Sequence, residues 1–113
     1  MKKIFALTFL IISTLFFSQE KRPVLDIMLT NYQYPYDVHF LTFKSQNQDL
    51  KMAYMDIKPE KTIGKTVVLL HGKNFNGAYW KTTIQALTKE GYRVIVPDQI
   101  GFGKSSKPTD YQF

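Results

Sequence analysis

Cysteine is absent from all 113 residues, which excludes disulfides, thiolate metal sites, a lipidated cysteine near the N-terminus and a cysteine nucleophile. No run of five or six like charges occurs, and the lysines are scattered rather than set in a stripe among aromatics. Nucleic acid is therefore not an expected partner. Internal repeats and low-complexity tracts are missing too. The chain also lacks an apolar stretch of the roughly 20 residues that a bilayer-spanning helix needs.

What is present starts with the basic Met1-Lys2-Lys3, followed by an apolar run from Ile4 to Phe17 interrupted only by Thr8, Ser13 and Thr14. A charged start and a short apolar core form a secretory signal pattern. The run meets Ser18-Gln19-Glu20-Lys21-Arg22 before reaching spanning length. Residues 1–18 are expected to be a signal peptide cleaved near Ser18, which makes the protein exported, periplasmic or secreted. Phe16 fits poorly where a small residue is wanted, so an uncleaved membrane anchor is the alternative. Cleavage would take Lys2 and Lys3 from 15 basic residues set against 9 acidic ones, leaving a mildly basic protein.

Residues 19–36 read as an N-terminal extension. Their Asn31-Tyr32-Gln33-Tyr34-Pro35-Tyr36 stretch is expected to lie over the surface of the fold. From Asp37 the text becomes strand-like. Val38 to Ser45 alternates Val38, Phe40 and Thr42 against His39, Leu41 and Phe43, and Leu50 to Pro59 alternates again after a polar turn at 46–49. Period-two alternation on both sides of a turn predicts an antiparallel hairpin. Thr66 to Leu70 is continuous and apolar after Thr66, as in a strand of a parallel sheet covered on both faces. A helix is expected from Asn76 or Gly77 to Lys89, with Trp80, Ile84 and Leu87 forming one apolar stripe and Gly91 at its exit. Val94-Ile95-Val96 is the next buried strand. Strand, helix, strand predicts a parallel crossover.

In open α/β folds ligands bind where loops leave the carboxyl ends of parallel strands. That places His71-Gly72-Lys73-Asn74 well, directly after Val67-Val68-Leu69-Leu70. The second loop, Asp98-Gln99-Ile100-Gly101-Phe102-Gly103-Lys104-Ser105, invites comparison with two motifs. As a phosphate-binding loop it has Gly103-Lys104-Ser105, yet Asp98 stands where glycine is required, and Lys107-Pro108 breaks the helix that should follow. As a nucleophile elbow it has Ser105, yet Lys107 occupies the position of the second glycine.

Both loops resemble those of the α/β-hydrolase superfamily. The His-Gly strand end looks like its oxyanion-hole segment. Asp98, Gly101, Gly103 and Ser105 match a D-x-x-G-x-G-x-S loop about 30 residues later, and the resemblance runs from Asp37 to Phe113. It implies an α/β fold in which an antiparallel hairpin leads into a parallel sheet with a crossover helix, and a partial hydrolase domain over residues 37–113 that stops before the nucleophile elbow. It further implies that the backbone N–H of Lys73 helps hold an oxyanion. His71, Gly72, Asn74, Asp98, Gly101, Gly103 and Ser105 would shape the loops. Asn74, Phe75 and Asn76 would either line an acyl pocket or turn the chain into the helix. His39, in the first strand, is expected to be structural.

No catalytic residue, metal ligand or cofactor is implied within these residues. An elbow serine downstream would mean hydrolysis of small ester, amide or peptide substrates; an elbow aspartate would mean attack on an epoxide or a carbon–halogen bond. A non-catalytic binding module, or an inactive truncated product, is the alternative. The isolated chain is expected to be inactive and, with an unpaired sheet edge, prone to aggregation.

Overall fold

Two residues with left-handed backbone, Gln46 (φ 48) and Asn47 (φ 58), reverse the chain between strand β1 (Val38–Ser45) and strand β2 (Gln48–Ile57). Positive φ at both central positions is the signature of a type I′ hairpin turn, whose twist matches that of the strands it joins. The polar turn expected over four residues is thus only two long, and β2 begins at Gln48. The computed structural model describes residues 22–112. The signal segment expected over residues 1–18 lies outside the described residues.

Strand β3 (Thr66–Val68) and strand β4 (Arg93–Pro97) flank a short 3-10 turn, Gly77–Trp80, and helix α1 (Lys81–Lys89). The sheet order is β1-β2-β4-β3, with β3 and β4 parallel and the other two pairings antiparallel. This is a mixed α/β sheet in which a hairpin leads into a parallel crossover. Regular strand ends at Val68 rather than Leu70, although Leu69 N–H still donates to Ile95 O at 2.9 Å.

Asn76 caps the 3-10 turn, its side chain accepting from Ala78 N–H at 3.0 Å. The opposite end of α1 closes with a pair of backbone bonds, Tyr92 N–H to Leu87 O and Gly91 N–H to Thr88 O, both 3.1 Å. That pairing is the Schellman ending, which needs a left-handed residue after the helix. Gly91 supplies it at φ +90, and a Cβ there would lie 2.9 Å from Lys61 O.

The apolar stripe packs as its spacing predicts. Ile84 is fully buried against Met55, Val94 and Val96, with Trp80 and Leu87 partly buried beside them. Removing a side chain such as Ile84 from water contributes about 1.5–3 kcal/mol. The expectation that β3 is covered on both faces fails among the described residues: Val68 is 55% and Leu70 59% exposed. β3 sits at the sheet margin, and the one described helix packs chiefly against β4.

Candidate functional site

β3 and β4 run parallel, so the loops leaving their carboxyl ends are neighbours, and two residues join them. His71 is buried, and its Nε2 accepts the backbone N–H of Gln99 at 3.0 Å. The Gln99 side-chain amide donates back to His71 O at 2.6 Å. Because an N–H can only donate, Nε2 carries no hydrogen. The hydrogen is therefore on Nδ1, which lies 2.9 Å from Gly72 O. An edge-on contact with Phe102, centroids 5.5 Å apart, completes the surroundings of the ring. Both ring nitrogens are occupied in holding loops.

Beyond this clamp the chain turns sharply. Phe75 N–H donates to Gly72 O at 3.1 Å, and Asn74 sits at φ 68. A left-handed third residue is the pattern of a type II turn. Lys73, the second residue, is exposed, and no hydrogen bond among the described residues claims its N–H. At Gly72 a Cβ would meet only Phe75 Cδ2, at an ordinary 3.8 Å. Phe75 is half exposed and packs at a tilt against the exposed Tyr79, centroids 5.0 Å apart, whereas Trp80 turns toward the core.

The second loop is organised by Asp98, which is buried and accepts three hydrogen bonds. Its Oδ1 takes Gly77 N–H at 2.6 Å; its Oδ2 takes Lys104 N–H at 2.7 Å and Tyr34 O–H at 2.6 Å. Gly103, at φ +53, lies so close that a Cβ would fall 2.1 Å from Oδ2. Gly101 is also left-handed, at φ +93, and its N–H donates to Ser106 O at 2.8 Å.

Ser105 is fully buried, donating to Asp98 O at 2.6 Å and accepting Ala53 N–H at 2.8 Å. Ser106 Oγ accepts Lys51 N–H at 2.9 Å in the same manner. The two hydroxyls therefore extend the β2 ladder past Pro97, the last β4 residue paired to it. That role leaves Ser105 no freedom to act as a nucleophile.

The sequence singled out neither Tyr34 nor Gln99, Lys104 or Lys107 for these roles. Tyr34 is drawn inward from a segment expected at the surface, and burial, followed by its bond to Asp98, pushes its hydroxyl pKa well above the ordinary phenol value. Lys104 Nζ donates to Leu29 O at 2.5 Å and lies 5.0 Å from the centre of the Tyr34 ring. Lys107 Nζ donates to Gly103 O at 2.5 Å and Ser105 O at 3.1 Å, and burial pulls its pKa down. His39 is exposed on β1 and pairs with the Tyr54 ring across the hairpin. A wider cleft, about 550 Å³, lies where Ile57 to Lys61 meet Gln85, Thr88 and Lys89. That is the amino end of the parallel pair, away from both loops, so size alone does not mark the site.

Residues 65–113 match the family model described as alpha/beta hydrolase fold. A haloalkane dehalogenase of Mycobacterium marinum is 39% identical over 84 residues, 71% of this chain and 28% of that protein. Among solved structures, a probable hydrolytic enzyme from Pseudomonas aeruginosa superposes with a TM-score of 0.80 at 50% identity, over 83% of this chain and 30% of that one. A haloalkane dehalogenase from Paraglaciecola agarilytica gives 0.60 at 31% identity, over 68% and 25%. The chain thus spans less than a third of each relative's length. A sheet built from a hairpin and a parallel crossover, with a His-Gly turn clamped to an Asp-Gly-Gly-Ser loop, agrees with these matches: the chain belongs to the α/β-hydrolase superfamily.

Proposed function

We propose that these residues form the opening section of an exported α/β-hydrolase, one that cleaves small ester, amide or peptide bonds through a serine lying beyond Phe113. The observation that carries this reading is the unclaimed N–H of Lys73, in a turn held at the carboxyl edge of the sheet by His71 and Gln99. When a serine oxygen attacks a carbonyl carbon, the carbonyl oxygen takes up negative charge. A fixed donor at that oxygen stabilises the transition state more than the substrate. The serine and its base would come from outside residues 1–113, so the chain alone should turn over no ester.

Lys73→Pro tests this directly, because proline suits the second position of such a turn and removes the N–H, while Lys73→Ala controls for the lost side chain. In the enzyme containing these residues and its elbow, kcat should fall by about 10²–10³ with KM little changed. Lys73→Ala, which keeps the N–H, should stay at least about tenfold more active than Lys73→Pro. Equal activities for the two variants would overturn the role.

A second reading follows from the identity to haloalkane dehalogenases. An aspartate at the elbow would displace halide from a saturated carbon instead. A chromogenic acetate ester and a haloalkane, assayed side by side, distinguish the two. If neither turns over, the non-catalytic binding module gains support.

A further inference from the structure

We infer that the N-terminal strap, residues 24–31, forms one wall of the substrate cleft and that Ile27 limits the length of the acyl chain accepted there; this rests on the ester-hydrolase reading above. The strap is a preformed knot. Asp26 accepts Met28 N–H at 2.8 Å, Thr30 N–H at 2.9 Å and Thr30 Oγ1 at 2.5 Å, while Asn31 Nδ2 donates to Val24 O at 2.7 Å. Lys104 then fastens the strap to the Asp98 loop through Leu29 O, and Lys107 Nζ lies 3.9 Å from Met28 Sδ.

Between strap and loops lies a cleft of about 390 Å³, with Ile27 and Leu29 on one side, Phe75 and Phe102 on the other, and Asn74 on its lining. Asn74 directly follows Lys73, so the cleft borders the turn that carries the proposed oxyanion donor. Its volume falls toward the small end of ligand sites. The two charged groups on its walls are already engaged: Asp26 by its own turn, Lys107 by Gly103 O and Ser105 O. The most exposed large side chains on the lining are apolar, Ile27 at 78% and Phe75 at 51%, with Asn74 as a polar neighbour. An uncharged aliphatic chain fits that lining better than a charged group, which would find no free ionic partner among these residues.

The enzyme containing these residues should be assayed on p-nitrophenyl acetate, butyrate and octanoate. Ile27→Ala should raise the octanoate-to-acetate ratio of kcat/KM by about fivefold, and Ile27→Trp should lower it by a similar factor. Ratios unchanged in both variants would overturn the inference. A second readout does not need turnover. Residues 1–113 contain no cysteine, so labelling of an Ile27→Cys thiol, read on the peptide that carries residue 27, is a local reporter. Octanoate should slow its modification by a maleimide at least about threefold, and acetate should not. Equal labelling with either acid overturns the proposed wall. The two readings fail separately: an enzyme that hydrolyses no ester, yet whose Ile27→Cys thiol is protected by octanoate, loses the hydrolase assignment and keeps the cleft.

Discussion

His71 and Gln99 exchange hydrogen bonds in both directions, ring nitrogen with backbone N–H at 3.0 Å and side-chain amide with backbone carbonyl at 2.6 Å. This reciprocal pair ties the loop after β3 to the loop after β4, and it explains why a histidine in so prominent a position is not a free base. Replacing His71 by Ala should leave the Gln99 N–H without its acceptor in a partly buried site. A loss of about 1–3 kcal/mol is expected from urea denaturation. A variant as stable as the parent would show that the pair is ornamental.

Gly103 and Asp98 make a tighter contact. Gly103→Ala would drive a methyl group to 2.1 Å from the Asp98 carboxyl oxygen, at a φ of +53 that side chains rarely adopt. Relief would require breaking the bonds to Tyr34 and Lys104. The expected loss is about 3 kcal/mol or more, and a midpoint shift below about 1 kcal/mol in the same denaturation assay would contradict the packing.

Asp98→Asn probes the charge and acceptor count without changing size. Three donors face the Asp98 carboxyl group, and an amide presents one oxygen and two N–H donors of its own. At least one of the three would meet a donor. A destabilisation of about 2–3 kcal/mol is expected; wild-type stability would mean that the three bonds are not made together.

Tyr34 gives a signature at alkaline pH. Burial and the Asp98 bond raise its pKa in the folded state above the ordinary 10.0, so the folded form holds its proton longer than the unfolded one. The stabilisation is complete below pH 10 and is lost as the pH rises toward the folded-state value. Tyr34→Phe should therefore be less stable than the parent near neutrality, and the difference should shrink above pH 10. A gap that stays constant to pH 11 would argue against the buried hydroxyl.

Asp56 makes the complementary case in acid. Arg93 reaches it through two bonds, 2.8 and 2.6 Å, and this pairing holds the carboxyl below its ordinary 3.8. The stabilisation is present above the unfolded value and disappears as the pH falls through the lowered folded one. With Arg93 partly exposed, solvent screening keeps the effect small. Asp56→Asn should show a flatter stability profile below pH 4 than the parent, measured by denaturation at fixed low salt.

Local pattern carried much of this molecule. Alternation from Val38 to Ile57, the stripe of Trp80, Ile84 and Leu87, and Gly91 at the helix exit specify a hairpin and a crossover, because periodicity and turn chemistry act within a few residues. The spacing of the His-Gly and Asp-Gly-Gly-Ser loops likewise marked the family. Tertiary structure alone decided the rest. Tyr34 meets Asp98 across 64 residues, His71 meets Gln99 across 28, and Lys104 reaches Leu29 across 75. No local rule assigns such partners. They are chosen by which loops the parallel pair brings to one edge, and by the need of each buried polar atom there to find a hydrogen bond.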